Sequence, residues 1–136
     1  MSENKGKENA SFRKAKKRAG NVLSDPQRVS KLVEASRKKM DKLEMGEVEL
    51  KGIIGTIKTF IRMLRAFGTG QYQAIPWVTI LMIVAALIYF ITPLDLLPDF
   101  IPITGYLDDF TIILAVFHRF KEDVIAFQTW ESTINN

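Results

Sequence analysis

At 136 residues the chain is one domain at most, with room for a core. It has no cysteine, which excludes disulfides and thiolate metal sites, and one histidine, His118, on which any Ser–His catalysis would have to rest. The net charge of +4 conceals a split: residues 1–74 hold 17 Lys/Arg and 8 Asp/Glu, net +9, whereas residues 75–136 hold 2 and 7, net −5, so a membrane or nucleic-acid partner is expected for the first half.

Residues 1–22 are rich in lysine and poor in apolar side chains. Such a segment buries too little surface to offset its ordering entropy, so a disordered basic tail is expected. The first 20 residues have no apolar central run of the signal-peptide kind. Phe12 is the one aromatic among them, which gives no stacking platform and argues against a nucleic-acid arm.

Residues 23–43 open on a helix start. Asp25 can cap the free amides, and Pro26 suits the first helical position. Val29, Leu32, Val33, Met40 and Leu43 recur at helical spacing, with Arg28, Lys31, Arg37, Lys38, Lys39 and Lys42 filling much of the rest. Residues 47–70 form a stronger amphipathic pattern. Leu50, Ile53, Ile54, Ile57, Phe60, Ile61, Leu64 and Phe67 share a face, Lys51, Lys58, Arg62 and Arg65 line one flank, and Gly68 and Gly70 end the helix. A basic amphipathic helix of this kind either lies on a membrane surface or packs in a core with one wet side.

Residues 75–91, IPWVTILMIVAALIYFI, carry no charge. Trp77 to Leu94 is 18 residues, roughly 27 Å as a helix, close to the hydrocarbon thickness of about 30 Å. Trp77 and Tyr89 stand near its ends as interface anchors would. A membrane-embedded helix is expected; a helix buried by its neighbours in a soluble adaptor is the alternative. Residues 106–130 repeat an apolar stripe through Phe110, Ile113, Leu114, Phe117, Phe120, Val124 and Phe127. Strand patterns are absent. The expected fold is all-α: two basic amphipathic helices, then an apolar helical hairpin with a Pro/Asp-rich turn, residues 23–136 forming a single helical domain.

That turn is ITPLDLLPDFIPITGYLDDF, residues 91–110. Pro93, Pro98 and Pro102 remove amide donors and Gly105 permits a sharp bend. Asp95, Asp108 and Asp109 can each lie in the first turn of a helix, where the macrodipole favours negative charge. Asp99, between two prolines, is the one expected to reach another group. If the chain doubles back, Asp95, Asp99, Asp108 and Asp109 converge as a cation or shared-proton site; otherwise they are local turn chemistry. The spacing is not that of a calcium loop, and no metal is assigned.

Tyr89, the run from Thr92 through Pro93, Asp95, Pro98 and Asp99 to Pro102, and then Gly105, Tyr106, Leu107, Asp108 and Asp109 resemble the signature of the YkvA-like family, a small bacterial and archaeal family of unknown function. The Pro76-Trp77 pair also fits, so the likeness covers about residues 76–117. Where the family pattern leads one to expect a short basic segment before Pro-Trp, this chain has Gly68-Thr69-Gly70-Gln71. The resemblance implies a small membrane-embedded or membrane-associated helical protein and brings no enzymatic activity, cofactor or catalytic residue with it. Expected partners are the lipid bilayer through its anionic surface and a protein partner or second copy, with the N-terminal half cytoplasmic by the positive-inside rule.

Overall fold

A computed structural model describes residues 2–45, 51–91 and 112–134, with side-chain surroundings for 12–42, 52–91 and 112–134. Its elements are helices α1 (Ser2–Leu23), α2 (Pro26–Met45), α3 (Lys51–Gly68), α4 (Trp77–Ile91) and α5 (Lys121–Ile134), with a further helical stretch at 112–119. Among the described residues there is no strand, and the protein is all-α.

The start of α2 follows from two residues. Asp25 Oδ1 accepts the Gln27 amide at 3.0 Å, and Pro26 occupies the first helical position, where its missing amide costs nothing. At the other end of the α2–α3 pair, Thr69 N–H donates to the Arg65 carbonyl at 3.0 Å and Gly70 N–H to Phe67 at 3.2 Å. Gly70 has φ 81°, the left-handed conformation that closes a helix and that only glycine adopts without strain. Gly68 has a different reason to be small. A Cβ there would lie 2.9 Å from Val29 Cγ1, and a β-branched side chain in a helix has little rotamer freedom to retreat. Gly68→Ala should therefore cost about 1–3 kcal/mol in urea unfolding, as overpacking does, and adding Val29→Ala should restore most of what the clash alone removes.

α4 is the axis of the bundle. It carries no charge, and ten of its residues are buried, from Thr79 and Ile80 through the continuous run Ile83 to Phe90. A helix apolar on every side must be surrounded, and here protein surrounds it. α1 makes the most extensive pairing with it, and α2 and α3 pack on it as well as on each other. Val29, Leu32, Val33 and Met40 of α2 and Ile57, Phe60, Ile61 and Leu64 of α3 are buried in the same core, which is the pattern their spacing predicts.

Residues 2–23 form a helix, where composition alone predicts a disordered tail. The reason is tertiary: Ala15 and Ala19, four apart, have no exposed surface, and such small side chains let α1 lie close against α4 without a broad apolar face of its own. Of the apolar segment expected as a membrane helix, the structure describes the helix α4 up to Ile91. α4 has 15 residues and spans about 22 Å; among the described residues no helix is long and apolar enough to cross a membrane. Leu94, on which an 18-residue span depends, lies outside the described residues.

The C-terminal segment is helical as expected but turns at Phe120, whose carbonyl accepts from both Asp123 and Val124 at 3.1 Å. The turn shifts the buried face to Ile113, Val116, Val124 and Phe127, leaving Leu114 exposed. α5 packs on α3. Tyr72, in the α3–α4 connection, anchors it through edge contact with Phe127 at 5.3 Å and a tilted contact with Trp130 at 4.8 Å.

Among the described residues, Ser36, Thr59 and Thr79 are buried polar side chains. Thr59 Oγ1 donates to the Gly55 carbonyl at 2.9 Å and Thr79 Oγ1 to Asp123 Oδ2, tying α4 to α5. Ser36 Oγ has no hydrogen-bond partner among the described residues. An unsatisfied buried hydroxyl destabilises by about 1–3 kcal/mol, so Ser36→Ala should raise stability by about 1 kcal/mol, read as a melting temperature higher by about 3 °C.

Candidate functional site

The cations gather on the outside of the bundle. Arg13, Lys14, Lys17 and Arg18 of α1, Arg28, Lys31, Arg37 and Lys38 of α2, and Arg62 and Arg65 of α3 are exposed, while the apolar sides of these helices turn inward. The split between a basic first half and an apolar second half thus becomes a radial one, with charge outside and α4 at the centre.

Clefts interrupt this surface, two of them among the described residues. One, about 520 Å³, lies where α1, α2 and α4 meet, with Arg18, Arg28 and Lys31 on its rim. The other, about 250 Å³, lies between α2 and α3 and is lined by Arg37, Lys58, Arg62 and Arg65 over Met40 and Ile61. Arg62 in the second already has a structural role. Its guanidinium grips Glu131 of α5 with both arms, Nε to Oε2 at 2.7 Å and Nη2 to Oε1 at 3.1 Å, the forked geometry that holds α5 on α3.

Lys39 is the basic residue of α2 that turns inward. Its ammonium donates to the Phe90 carbonyl and lies 4.8 Å from the Phe90 ring centroid. Both contacts tie α2 to α4.

That segment cannot be placed against these features. Asp95, Asp99, Asp108 and Asp109, with Pro93, Pro98, Pro102 and Gly105, all lie outside the described residues. Among the described residues no group of three or more His, Asp or Glu side chains could hold a metal ion. His118 is exposed and in edge contact with Phe117 at 5.8 Å. The basic flank of α2 and α3 was legible from spacing. The contribution of Arg18 was not, because it depends on α1 being a docked helix, and neither was Lys39 reaching Phe90 across 51 residues of chain.

A profile described as "Protein of unknown function (DUF1232)" matches residues 79–115, from the first turn of α4 through the aspartate–proline segment. The chain is 32% identical over 80 residues to the "Uncharacterized membrane protein YkvA" of Bacillus subtilis (strain 168), covering 59% of this chain and 76% of that protein. No solved structure matches it.

Proposed function

The chain belongs to the YkvA-like family of proteins of unknown function, and on that footing we propose that it is a membrane-associated helical interaction module, without catalytic activity, that rests its basic helices on an anionic cytoplasmic membrane surface. The observation that carries this reading is the outward array of cations on α1, α2 and α3 around a core helix that protein already buries. A Lys or Arg near an anionic leaflet contributes about 1 kcal/mol each, so several acting together suffice for binding while the bundle stays folded. The Bacillus relative, an uncharacterized membrane protein, supports the same location. The N-terminal half faces the cytoplasm because that is where anionic lipid and the positive-inside bias both favour basic residues.

The test is flotation of the full chain with vesicles of phosphatidylcholine, with and without phosphatidylglycerol. Binding should require phosphatidylglycerol and weaken as salt shortens the Debye length from about 10 Å toward 3 Å. Equal binding to neutral vesicles would contradict it. Equal competition by DNA would reduce the interaction to unspecific electrostatics.

A further inference from the structure

The larger cleft is more than a patch of charge. Its floor is apolar and comes from three helices: Val22 of α1, Leu32 and Ala35 of α2, and Ile88 and Ile91 of α4. Its rim carries Arg18, Arg28 and Lys31, with the Asn21 amide beside them and no Asp or Glu in the lining among the described residues. Asp25 approaches Arg28 at 3.6 Å, but both side chains are about half exposed and Asp25 also accepts the Gln27 amide, so it offsets little of the rim's charge. Neither Arg18 nor Lys31 is paired with a carboxylate among the described residues. At about 520 Å³ the space is within the range of small-molecule sites, about 300–1,000 Å³.

A basic rim alone would suit any polyanion, and an apolar floor alone any hydrocarbon. Their combination selects an amphiphile with an anionic head. We infer that the α1–α2–α4 cleft binds one anionic phospholipid, with its phosphate held between Arg18, Arg28 and Lys31 and the first methylenes of its acyl chains on Val22, Ile88 and Ile91. Guanidinium groups suit this task because they meet phosphate oxygens through paired donors. The smaller cleft is a weaker competitor, since Arg62 is already engaged by Glu131 and less volume is available. The inference rests on the membrane reading and sharpens it: diffuse attraction brings the bundle to the surface, and the cleft takes one lipid in fixed stoichiometry.

The experiment is a titration of the isotope-labelled full chain with dihexanoyl phosphatidylglycerol below its micelle concentration, following amide and isoleucine methyl resonances. Parallel titrations use dihexanoyl phosphatidylcholine, glycerol phosphate and inorganic phosphate. Saturable one-to-one shifts that include Ile88 and Ile91 are expected with the phosphatidylglycerol, and weak or no binding with the other three. Arg18→Gln with Lys31→Gln should weaken that binding by about tenfold or more, equivalent to about 1.4 kcal/mol. Lys38→Gln with Lys42→Gln removes the same charge from α2 outside the cleft and should change it little. Phosphate binding as tightly as the lipid would mean an anion site only and overturn the inference, as would equal binding of phosphatidylcholine or equal weakening by both variant pairs. Loss of short-chain binding with vesicle flotation intact would reject the cleft alone. Saturable short-chain binding without flotation would reject the surface reading alone.

Discussion

Val84→Arg should abolish the cooperative thermal transition of the protein. Val84 has no exposed surface and lies in the continuous buried run of α4, so an arginine there would be both oversized and charged without a partner. Leaving a charge buried and unpaired costs about 3–5 kcal/mol before any overpacking is added, against a total stability of about 5–15 kcal/mol for a domain. Val78→Arg is the informative control. Val78 is 55% exposed, so the same change there should cost no more than about 0.5 kcal/mol. If α4 instead faced lipid, Val84→Arg would act on insertion, by about 2.5–3.5 kcal/mol at the helix centre, and Val78→Arg, beside Trp77 at the end of the helix, by less. Circular dichroism melts of the two variants beside the parent decide between these cases. A Val84→Arg protein that melts cooperatively within a few degrees of the parent would mean that the core is not where α4 lies.

The second large effect is expected at Phe60. It is fully buried on α3, the helix that touches α2, α4 and α5, so its ring is at the junction of most of the bundle. Phe60→Ala should cost about 3–5 kcal/mol, the sum of lost transfer energy and an unfilled cavity. The urea midpoint should fall while the slope is unchanged, because the same surface is exposed on unfolding. Phe67→Ala, at a half-buried position on the same helix, should cost clearly less. A loss under about 1 kcal/mol at Phe60 would show that α3 does not seal the core.

These two positions show what could be read before the structure and what could not. Phe60 and its neighbours on α3 follow from 3.6-residue spacing, and the start of α2 from Asp25 and Pro26, because both signals are local. The burial of α4 is only half local. A charge-free helix must be surrounded, but whether lipid or protein surrounds it depends on α1, whose own apolar content predicts no structure at all. Ala15 and Ala19 of α1 are buried through shape rather than hydrophobic mass, which composition does not register. The cleft shares this limitation: Arg28 and Lys31 stand out as a basic face of α2, while Arg18 joins them only once α1 is docked. The aspartate–proline site remains a reading of sequence, since its residues lie outside the described ones.

If α4 is sheathed by protein and the membrane is met by surface cations, the contact should yield to salt and to alkali. The direct measurement is extraction of membranes carrying the full-length chain, first with about 1 M NaCl, where the Debye length falls to about 3 Å, and then with alkaline carbonate. A surface-bound bundle predicts substantial release by salt and essentially complete release by carbonate. Retention in the pellet through both washes, with release only by detergent, would contradict it and place α4 in the bilayer.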